Sequence, residues 1–198
     1  MKILAVADTV SKYLYDYYTP GKLDGFDLIL ACGDLSRSYL EFLVDASHCP
    51  VLYVRGNHDD SFETDPPDGC ICVEDTVYDF RGIRILGLGG SHKYREGKNM
   101  FTEKQMQKRV RRLRFKIMRK KGFDILLTHS PARHINDFDS LSHRGFECFK
   151  DLIEKYHPKY FVHGHIHKNY GINIPQRTEY GDTVIINACD YCIFDYDE

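Results

Sequence analysis

The sequence predicts an α/β fold in which short buried strands alternate with helices. Most strand candidates are short apolar runs rich in β-branched residues, as at residues 3–7 and 125–128. Helical segments separate the first three of these runs, and that rhythm is typical of parallel strands. Only Arg81 and Gly82 separate two later strand candidates, which indicates a hairpin and therefore an antiparallel region. We expect mixed sheets in a single domain that spans residues 1–198.

The first third of the chain contains three strand candidates and two helix candidates. The strands are expected at residues 3–7, 28–32 and 51–54, and the helices at residues 11–18 and 36–46. Ser36 begins the second helix and is a residue type that caps helix amino termini. Tyr13 and Tyr17 lie four residues apart in the first helix, so we expect them to face the core rather than to stack on a nucleobase.

The remainder of the chain is expected to add seven strands and two helices. The strands are predicted at residues 70–73, 76–80, 83–88, 125–128, 160–163, 184–187 and 191–195, and the helices at residues 102–120 and 145–156. Thr102 is the expected cap of the longer helix, whose apolar stripe consists of Met106, Val110, Leu113 and Ile117. The polar segment 130–142 has the length of a loop that often serves a function.

The charge of the chain is unevenly distributed. The net charge is −2, but residues 104–121 contain ten basic residues and no acidic one, which leaves −12 for the rest of the chain. A solvated outer helix face is the simpler interpretation, and steering of a phosphate-bearing substrate or a nucleic acid is the alternative. We therefore regard nucleic acid as a possible but not favoured partner. The oligomeric state remains open.

The location of the protein is inferred from three features that the sequence lacks: a signal peptide, a membrane span and a secreted disulfide framework. The first apolar run is broken by Asp8, too early for a signal peptide, and no apolar segment has the length of a membrane span. The seven cysteines are scattered and odd in number, which argues against a secreted disulfide framework. Cys189 and Cys192 have redox or zinc spacing, but buried structural thiols are the favoured interpretation. We expect a soluble cytoplasmic protein without a membrane partner.

Five polar clusters follow the predicted strands. They are Asp8, Gly33-Asp34, Gly56-Asn57-His58-Asp59, Thr128-His129 and His163-Gly164-His165-Ile166-His167. Because the carboxyl ends of parallel strands meet at one edge of a sheet, we expect these clusters to converge. Carboxylates, imidazoles and a carboxamide together suit Mn, Fe or Zn, whereas Ca prefers oxygen alone and structural Zn prefers thiolates. The clusters therefore predict a metal-dependent hydrolase.

The order and spacing of these clusters resemble those of the calcineurin-like metallophosphoesterase superfamily. The resemblance runs from Asp8 to His167, and the pair formed by Gly-Asn-His-Asp and Gly-His-x-His is its most specific part. The segment from His163 is similar to a small-phosphodiesterase branch of that superfamily. The resemblance implies a four-layer α/β/β/α sandwich with two divalent metal ions at the strand ends. It also implies a phosphate-ester substrate, a monoester or a diester.

The resemblance implies a role for each matching residue. Asp34 would bridge both ions, and the other ligands are Asp8 and His167 at the first ion and Asn57, His129 and His165 at the second. A hydroxide held by the ions would attack phosphorus, and His58 would act as general acid toward the departing alkoxide. Asn57 is an expected substrate contact. His143 is a second one on a different ground: it follows the long loop before Gly-His-x-His, where it would contact the substrate or line the rim of the pocket. Asp59 would either orient His58 or cap the following turn.

One position departs from the family pattern. Where the family begins Asp-x-His, this chain has Asp8-Thr9-Val10, so an imidazole ligand of the first ion is missing. Water, His92 or His143 could take its place, and we expect the first site to bind more weakly than the second. The ions could be Mn, Fe, Zn or Mg. A catalytically weak metal-binding interaction module on the same fold, or a nuclease, remains an alternative to the phosphoesterase.

Overall fold

The computed structural model describes residues 1–167 and 174–197, which form two β-sheets flanked by helices. The thirteen strands of these residues are β1 (Lys2–Ala7), β2 (Leu28–Ala31), β3 (Val51–Tyr53), β4 (Ile71–Cys72), β5 (Thr76–Phe80), β6 (Ile83–Leu88), β7 (Ser91–His92), β8 (Met100–Phe101), β9 (Ile125–Thr128), β10 (Tyr160–His163), β11 (Arg177–Tyr180), β12 (Thr183–Asn187) and β13 (Asp190–Asp195). The helices are α1 (Arg37–Ser47), α2 (Glu103–Arg119), α3 (Glu147–Tyr156) and one 3₁₀ turn at Asp60–Glu63.

Both large sheets are mixed, with a parallel centre and antiparallel edges. The five-stranded sheet has the order β13-β1-β2-β3-β4, and only β13 runs antiparallel to its neighbour. The six-stranded sheet has the order β11-β12-β10-β9-β6-β5, with β11 and β5 antiparallel at its two edges. Strands β7 and β8 form a separate parallel pair. The predicted hairpin through Arg81 and Gly82 is confirmed as the β5–β6 connection.

Alternating side chains divide the core into layers. In β1, Ile3 and Ala5 lie in the cluster between the two sheets, whereas Leu4 and Val6 pack toward α1. The outer face of the six-stranded sheet packs on α2 and α3 in a third apolar cluster. Successive strand residues point to opposite faces, so each sheet buries apolar side chains on both sides. The four-layer α/β/β/α sandwich is thereby confirmed.

Both predicted helix caps are present. The Ser36 hydroxyl accepts a hydrogen bond from the Tyr39 N–H at the start of α1. Thr102 and Gln105 form a reciprocal capping box at the start of α2, which satisfies two backbone donors that the helix cannot pair itself. None of the helices among the described residues has the length and apolar character to span a bilayer.

The predicted tyrosine-rich helix at residues 11–18 is wrong. This segment is a series of turns in which Leu14 is buried, whereas Tyr13 and Tyr17 are exposed rather than core-facing. Tyr13 stacks on Tyr191 of β13, and Tyr15 packs edge-on against Phe42 of α1. The two rings thus pack against different elements, β13 and α1, and such tertiary packing overrides a weak local helix preference.

Candidate metal centre

Five loops meet at one edge of the sandwich, where parallel strands of both sheets end. The side chains that these loops carry are Asp8 after β1, Asp34 after β2, Asn57 after β3, His129 after β9 and His165 after β10. Backbone hydrogen bonds join neighbouring loops within each sheet. The Asp8 N–H donates to the Gly33 carbonyl at 3.1 Å, and the Gly164 N–H donates to the His129 carbonyl at 2.9 Å.

Glycines in these loops leave room for the neighbouring carboxylates. A Cβ on Gly56 would lie 2.0 Å from Asp34 Oδ1, and a Cβ on Gly164 would lie 2.8 Å from Asp8 Oδ2. Both distances are far below van der Waals contact, so any larger residue would displace the carboxylate. The glycines that precede Asn57 and His165 in the sequence are therefore required by the close approach of the loops.

The tautomer of the buried His129 is fixed by its neighbours. Its Nδ1 lies 2.7 Å from the carbonyl oxygen of Cys32, and a carbonyl only accepts, so Nδ1 carries the proton. The Nε2 of the neutral ring is consequently a lone-pair donor atom. It lies 3.0 Å from Asn57 Oδ1 and 3.4 Å from Asp34 Oδ2.

His165 presents a second lone pair to the same point. Its Nε2–H donates to the Ser142 carbonyl at 2.6 Å, which leaves Nδ1 unprotonated and 3.1 Å from His129 Nε2. Asp34, His129 and His165 have ligand atoms within 4.8 Å of one another, the one such group of His, Cys, Asp and Glu side chains in the described parts of the chain. Lone pairs this close repel unless a proton or a metal ion lies between them, and this donor set fits a divalent metal ion.

The charges around this point have opposite effects on the two imidazoles. Burial opposes protonation of His129, but the carboxylates of Asp34 and Asp8 outweigh it and raise the pKa of His129. Burial and the neighbouring His129 hold the pKa of His165 well below its usual value. His165 is therefore neutral, the form in which an imidazole ligates a metal.

The residues predicted for the first ion do not form a comparable cluster. Both carboxylate oxygens of Asp8 accept from the His165 N–H, at 3.0 and 2.8 Å, and burial raises the pKa of Asp8 to about 6 against the opposing charges of His129 and His167. Neither Asp8 nor His167 belongs to a group of three close ligand side chains among the residues described. Val10 packs beside the apolar cluster under α1.

His58 lies at the mouth of the centre with two neighbours that sequence reasoning missed. Its side chain is 60% exposed, and its Nε2 is 3.9 Å from Asp34 Oδ2. Arg95 Nη2 is 3.3 Å from His58 Nδ1, and the Tyr94 hydroxyl is 3.5 Å from Asn57 Nδ2. Tyr94 and Arg95 stand in a polar loop between β7 and β8 that follows no long strand, so no spacing signal marked them.

The remaining predicted residues lie around the centre or apart from it. The His143 ring is 5.6 Å from that of His165, and its Nδ1 contacts the hydroxyls of Ser140 and Ser142 at 2.9 and 3.1 Å. His92 stacks on Phe146 and is not part of the metal-capable group. His163 is fully buried, which lowers its pKa to about 4 and keeps the ring neutral. No cysteine joins the group in residues 1–167 and 174–197.

Several known proteins are similar to this chain. The UPF0046 protein C25E10.12 of Caenorhabditis elegans is 23% identical over 193 residues, which cover 81% of this chain and 64% of that protein. The chain thus spans less than two thirds of that relative. The crystal structure of TT1561 of Thermus thermophilus aligns with a TM-score of 0.63 at 18% identity, covering 96% of this chain and 89% of that one. Vps29 of Chaetomium thermophilum aligns at a TM-score of 0.46 and 15% identity, over 100% and 82% of the two chains.

A family match covers all five polar clusters. The model of the calcineurin-like phosphoesterases matches residues 1–169, a range that includes every residue from Asp8 to His167. The TT1561 alignment is below 25% identity and concerns the fold alone. The family match and the assembled ligand group together confirm the predicted resemblance: the chain belongs to the calcineurin-like phosphoesterase family.

Proposed function

We propose that this protein is a metal-dependent phosphoesterase that hydrolyses a phosphate monoester or diester. The observation that carries the proposal is the convergence of four lone-pair atoms from Asp34, Asn57, His129 and His165, two of them on imidazoles with fixed tautomers. Family membership supports the reaction class. When bound, divalent ions supply Lewis-acid stabilisation of the phosphoryl charge and a water nucleophile at neutral pH.

His58 is the proposed proton donor to the leaving alkoxide. Its exposed ring faces the solvent side of Asp34, where the ester oxygen of a bound substrate would leave. Imidazole is the side chain that holds and releases a proton near neutral pH. The guanidinium of Arg95 beside His58 is suited to bind a phosphate oxygen by charge-assisted hydrogen bonds.

The substrate and second ion would be held by residues around this core. We propose that Asn57 and His143 contact the phosphate ester, and that Asp8 and His167 hold a more weakly bound ion bridged by Asp34. The weakness follows from Val10, which offers no ligand atom where the family pattern has an imidazole. Mn, Fe, Zn and Mg are the candidate ions.

The test is hydrolysis of 4-nitrophenyl phosphate and bis(4-nitrophenyl) phosphate by metal-stripped protein with each divalent ion restored. Turnover should require a metal, disappear with His129→Ala and fall about 10²- to 10⁴-fold with His58→Gln. His134→Gln, an exposed loop histidine outside the ligand group, is the matched control. Metal-independent turnover, or equal loss in the control, would overturn the proposal.

A metal-binding interaction module is the second candidate, and it is favoured because Asp8 and His167 are not part of the group of mutually close ligand atoms among the described residues. With only one tightly bound ion, the centre would bind a phosphorylated ligand. It would not stabilise both the attacking and the leaving oxygen of a displacement at phosphorus. This candidate predicts binding of inorganic phosphate by the metal-loaded protein without turnover of either ester. Metal-dependent turnover abolished by His58→Gln excludes it.

A further inference from the structure

A basic cleft lies at the sheet edge opposite the metal centre. Its volume is about 1120 Å³, and its lining includes Arg84 near the start of β6, Asp124 before β9 and Lys159 before β10. The metal centre is at the carboxyl ends of the same parallel strands. Strands of four to six residues separate the two sites by about 13–20 Å.

Positive charge in the cleft greatly exceeds negative charge. Six cationic side chains (Arg84, Arg111, Arg114, Lys121, Lys155 and Lys159) face two carboxylates, Asp124 and Asp182. Arg84 is neutralised by Asp124, whereas the other five cations form no ion pair with any residue in the described ranges. Like charges gathered around one concavity repel each other, so they indicate a polyanionic ligand.

Aromatic and apolar side chains alternate with these cations. Phe115 is 78% exposed and Met118 is 69% exposed, and both line the cleft. Tyr156 and Tyr196 also line it, with Lys155 Nζ 5.2 Å from the first ring centroid and Lys159 Nζ 4.7 Å from the second. Cations that track a backbone, with exposed rings on which bases stack, are the features of single-strand-binding grooves.

We propose that this cleft binds single-stranded nucleic acid, with phosphates on the arginines and lysines and a base on Phe115. The cleft favours this ligand over an anionic membrane, because a flat bilayer would contact the exposed Phe115 and Met118 more readily than the half-buried Arg84 and Lys159. The exposed Phe115 ring favours a single strand over a duplex, because the faces of the bases are stacked on one another in a duplex and cannot reach this ring.

The test is fluorescence anisotropy of a labelled oligouridylate of about 16 nucleotides, the upper site size for one single-strand-binding fold. Arg111→Glu/Arg114→Glu should weaken binding at least about tenfold at low salt, and Lys155→Glu/Lys159→Glu on the opposite wall should act alike. The matched control is Lys108→Glu/Arg112→Glu, the same charge change on an exposed part of α2 outside the cleft. It should change affinity less than about threefold.

The aromatic contribution separates nucleic acid from a general polyanion. Phe115→Ala should weaken oligouridylate at least about fivefold and leave heparin, which has no bases, unaffected. The proposal would be overturned if the double variants of the cleft and of the control lost the same affinity for the oligonucleotide. It would also be overturned if heparin and oligouridylate bound equally and Phe115→Ala changed neither affinity. Binding to phosphatidylserine vesicles without binding to the oligonucleotide would overturn it as well. Circular dichroism and thermal unfolding report that each variant is folded.

Discussion

The carboxylate of Asp59 accepts a hydrogen bond from the backbone N–H of Asp34 at 2.8 Å. The same oxygen accepts from the Gly56 N–H at 2.7 Å, so one buried side chain ties together the loops that follow β2 and β3. Two roles were considered for Asp59, orienting His58 and capping the following turn. These contacts favour a third role instead. Asp59 fixes the backbone that presents Asp34 and Asn57 to the metal centre.

Removing this carboxylate should weaken metal binding without touching a ligand. In Asp59→Ala the N–H groups of Asp34 and Gly56 lose their acceptor, and the two loops are free to separate. Loss of a residue that supports metal ligands typically lowers affinity about 10- to 100-fold. Calorimetric titration of the metal-stripped protein measures the change. Asp60→Ala removes a neighbouring carboxylate outside this contact, and a similar loss there would contradict the assignment.

The same residue should make the stability of the metal-free protein depend on pH. Burial raises the pKa of Asp59 from 3.8 to about 6. The folded state therefore holds this proton more tightly than the unfolded state, so the stabilisation is complete below pH 3.8 and is lost as the pH rises through 6. For a shift of about two pH units the loss is roughly 3 kcal/mol.

Asp59→Asn isolates this effect, because the amide oxygen can still accept both hydrogen bonds and carries no charge. We expect the free energy of urea unfolding, compared between about pH 4 and about pH 7.5 in metal-free buffer, to fall less in Asp59→Asn than in the wild type. Asp8 also has a raised pKa and contributes to both proteins, so the difference between them belongs to Asp59. Identical pH dependence in the two proteins would show that Asp59 does not titrate in this range.

Gly164→Ala should damage both stability and the metal centre. The added methyl would lie 2.6 Å from the Ala7 Cβ and 2.8 Å from Asp8 Oδ2, so β1 and β10 must separate. Overpacking of this kind costs about 1–3 kcal/mol of unfolding free energy. Gly97→Ala is the control, since its methyl would meet only the flexible Met100 side chain at 3.3 Å. Thermal unfolding with calorimetric metal titration should separate the two variants, and equal behaviour would contradict the packing argument.

The sequence predicted most strands and helices because apolar strand runs and helix caps are local signals, whereas the four layers were implied by the family resemblance. The strand that ends at Asp8 and the helix capped by Ser36 were visible in the order of residue types. The strand predicted at residues 70–73 forms at Ile71–Cys72 only, and the edge strand Arg177–Tyr180 was not predicted. Short edge strands carry little apolar pattern, so their pairing depends on neighbours that sequence alone does not supply.

The candidate centre was predictable to the extent that strand ends determine it. Asp34, His129 and His165 each follow a buried strand, and parallel pairing brings such positions together. Tyr94 and Arg95 could not be found in this way, because their loop reaches the centre through the tertiary position of β7 and β8. The roles of Ser142 and Cys32 are backbone contacts, which do not depend on their side chains.

Arg95→Ala should raise the KM for a phosphate ester more than it lowers kcat. The guanidinium is exposed and 3.3 Å from His58, where it can bind a substrate oxygen while remaining clear of the metal ligands. Loss of one charge-assisted contact of about 1.5–3 kcal/mol corresponds to roughly a 10- to 150-fold change in kcat/KM. Arg95→Lys should retain part of the kcat/KM that Arg95→Ala loses. Lys98→Ala, which removes a cation of the same loop that pairs with Glu63, is the control. An equal effect there would indicate a general charge effect.

Val10→His tests whether the first metal site is weak because it lacks an imidazole. Val10 stands two residues after Asp8 and packs only partly against the apolar cluster under α1, so a ring can be accommodated with limited loss of packing. We expect the variant to bind a second equivalent of Mn at least about tenfold more tightly than the wild type, since each added ligand strengthens the site. Calorimetric titration gives both affinities, and turnover of bis(4-nitrophenyl) phosphate should rise with occupancy of the second equivalent.

Val10→Leu controls for the change in volume. Two equally tight ions in the wild type would contradict the predicted asymmetry, and a fall in turnover in Val10→His alone would mean that Val10 shapes a substrate pocket instead.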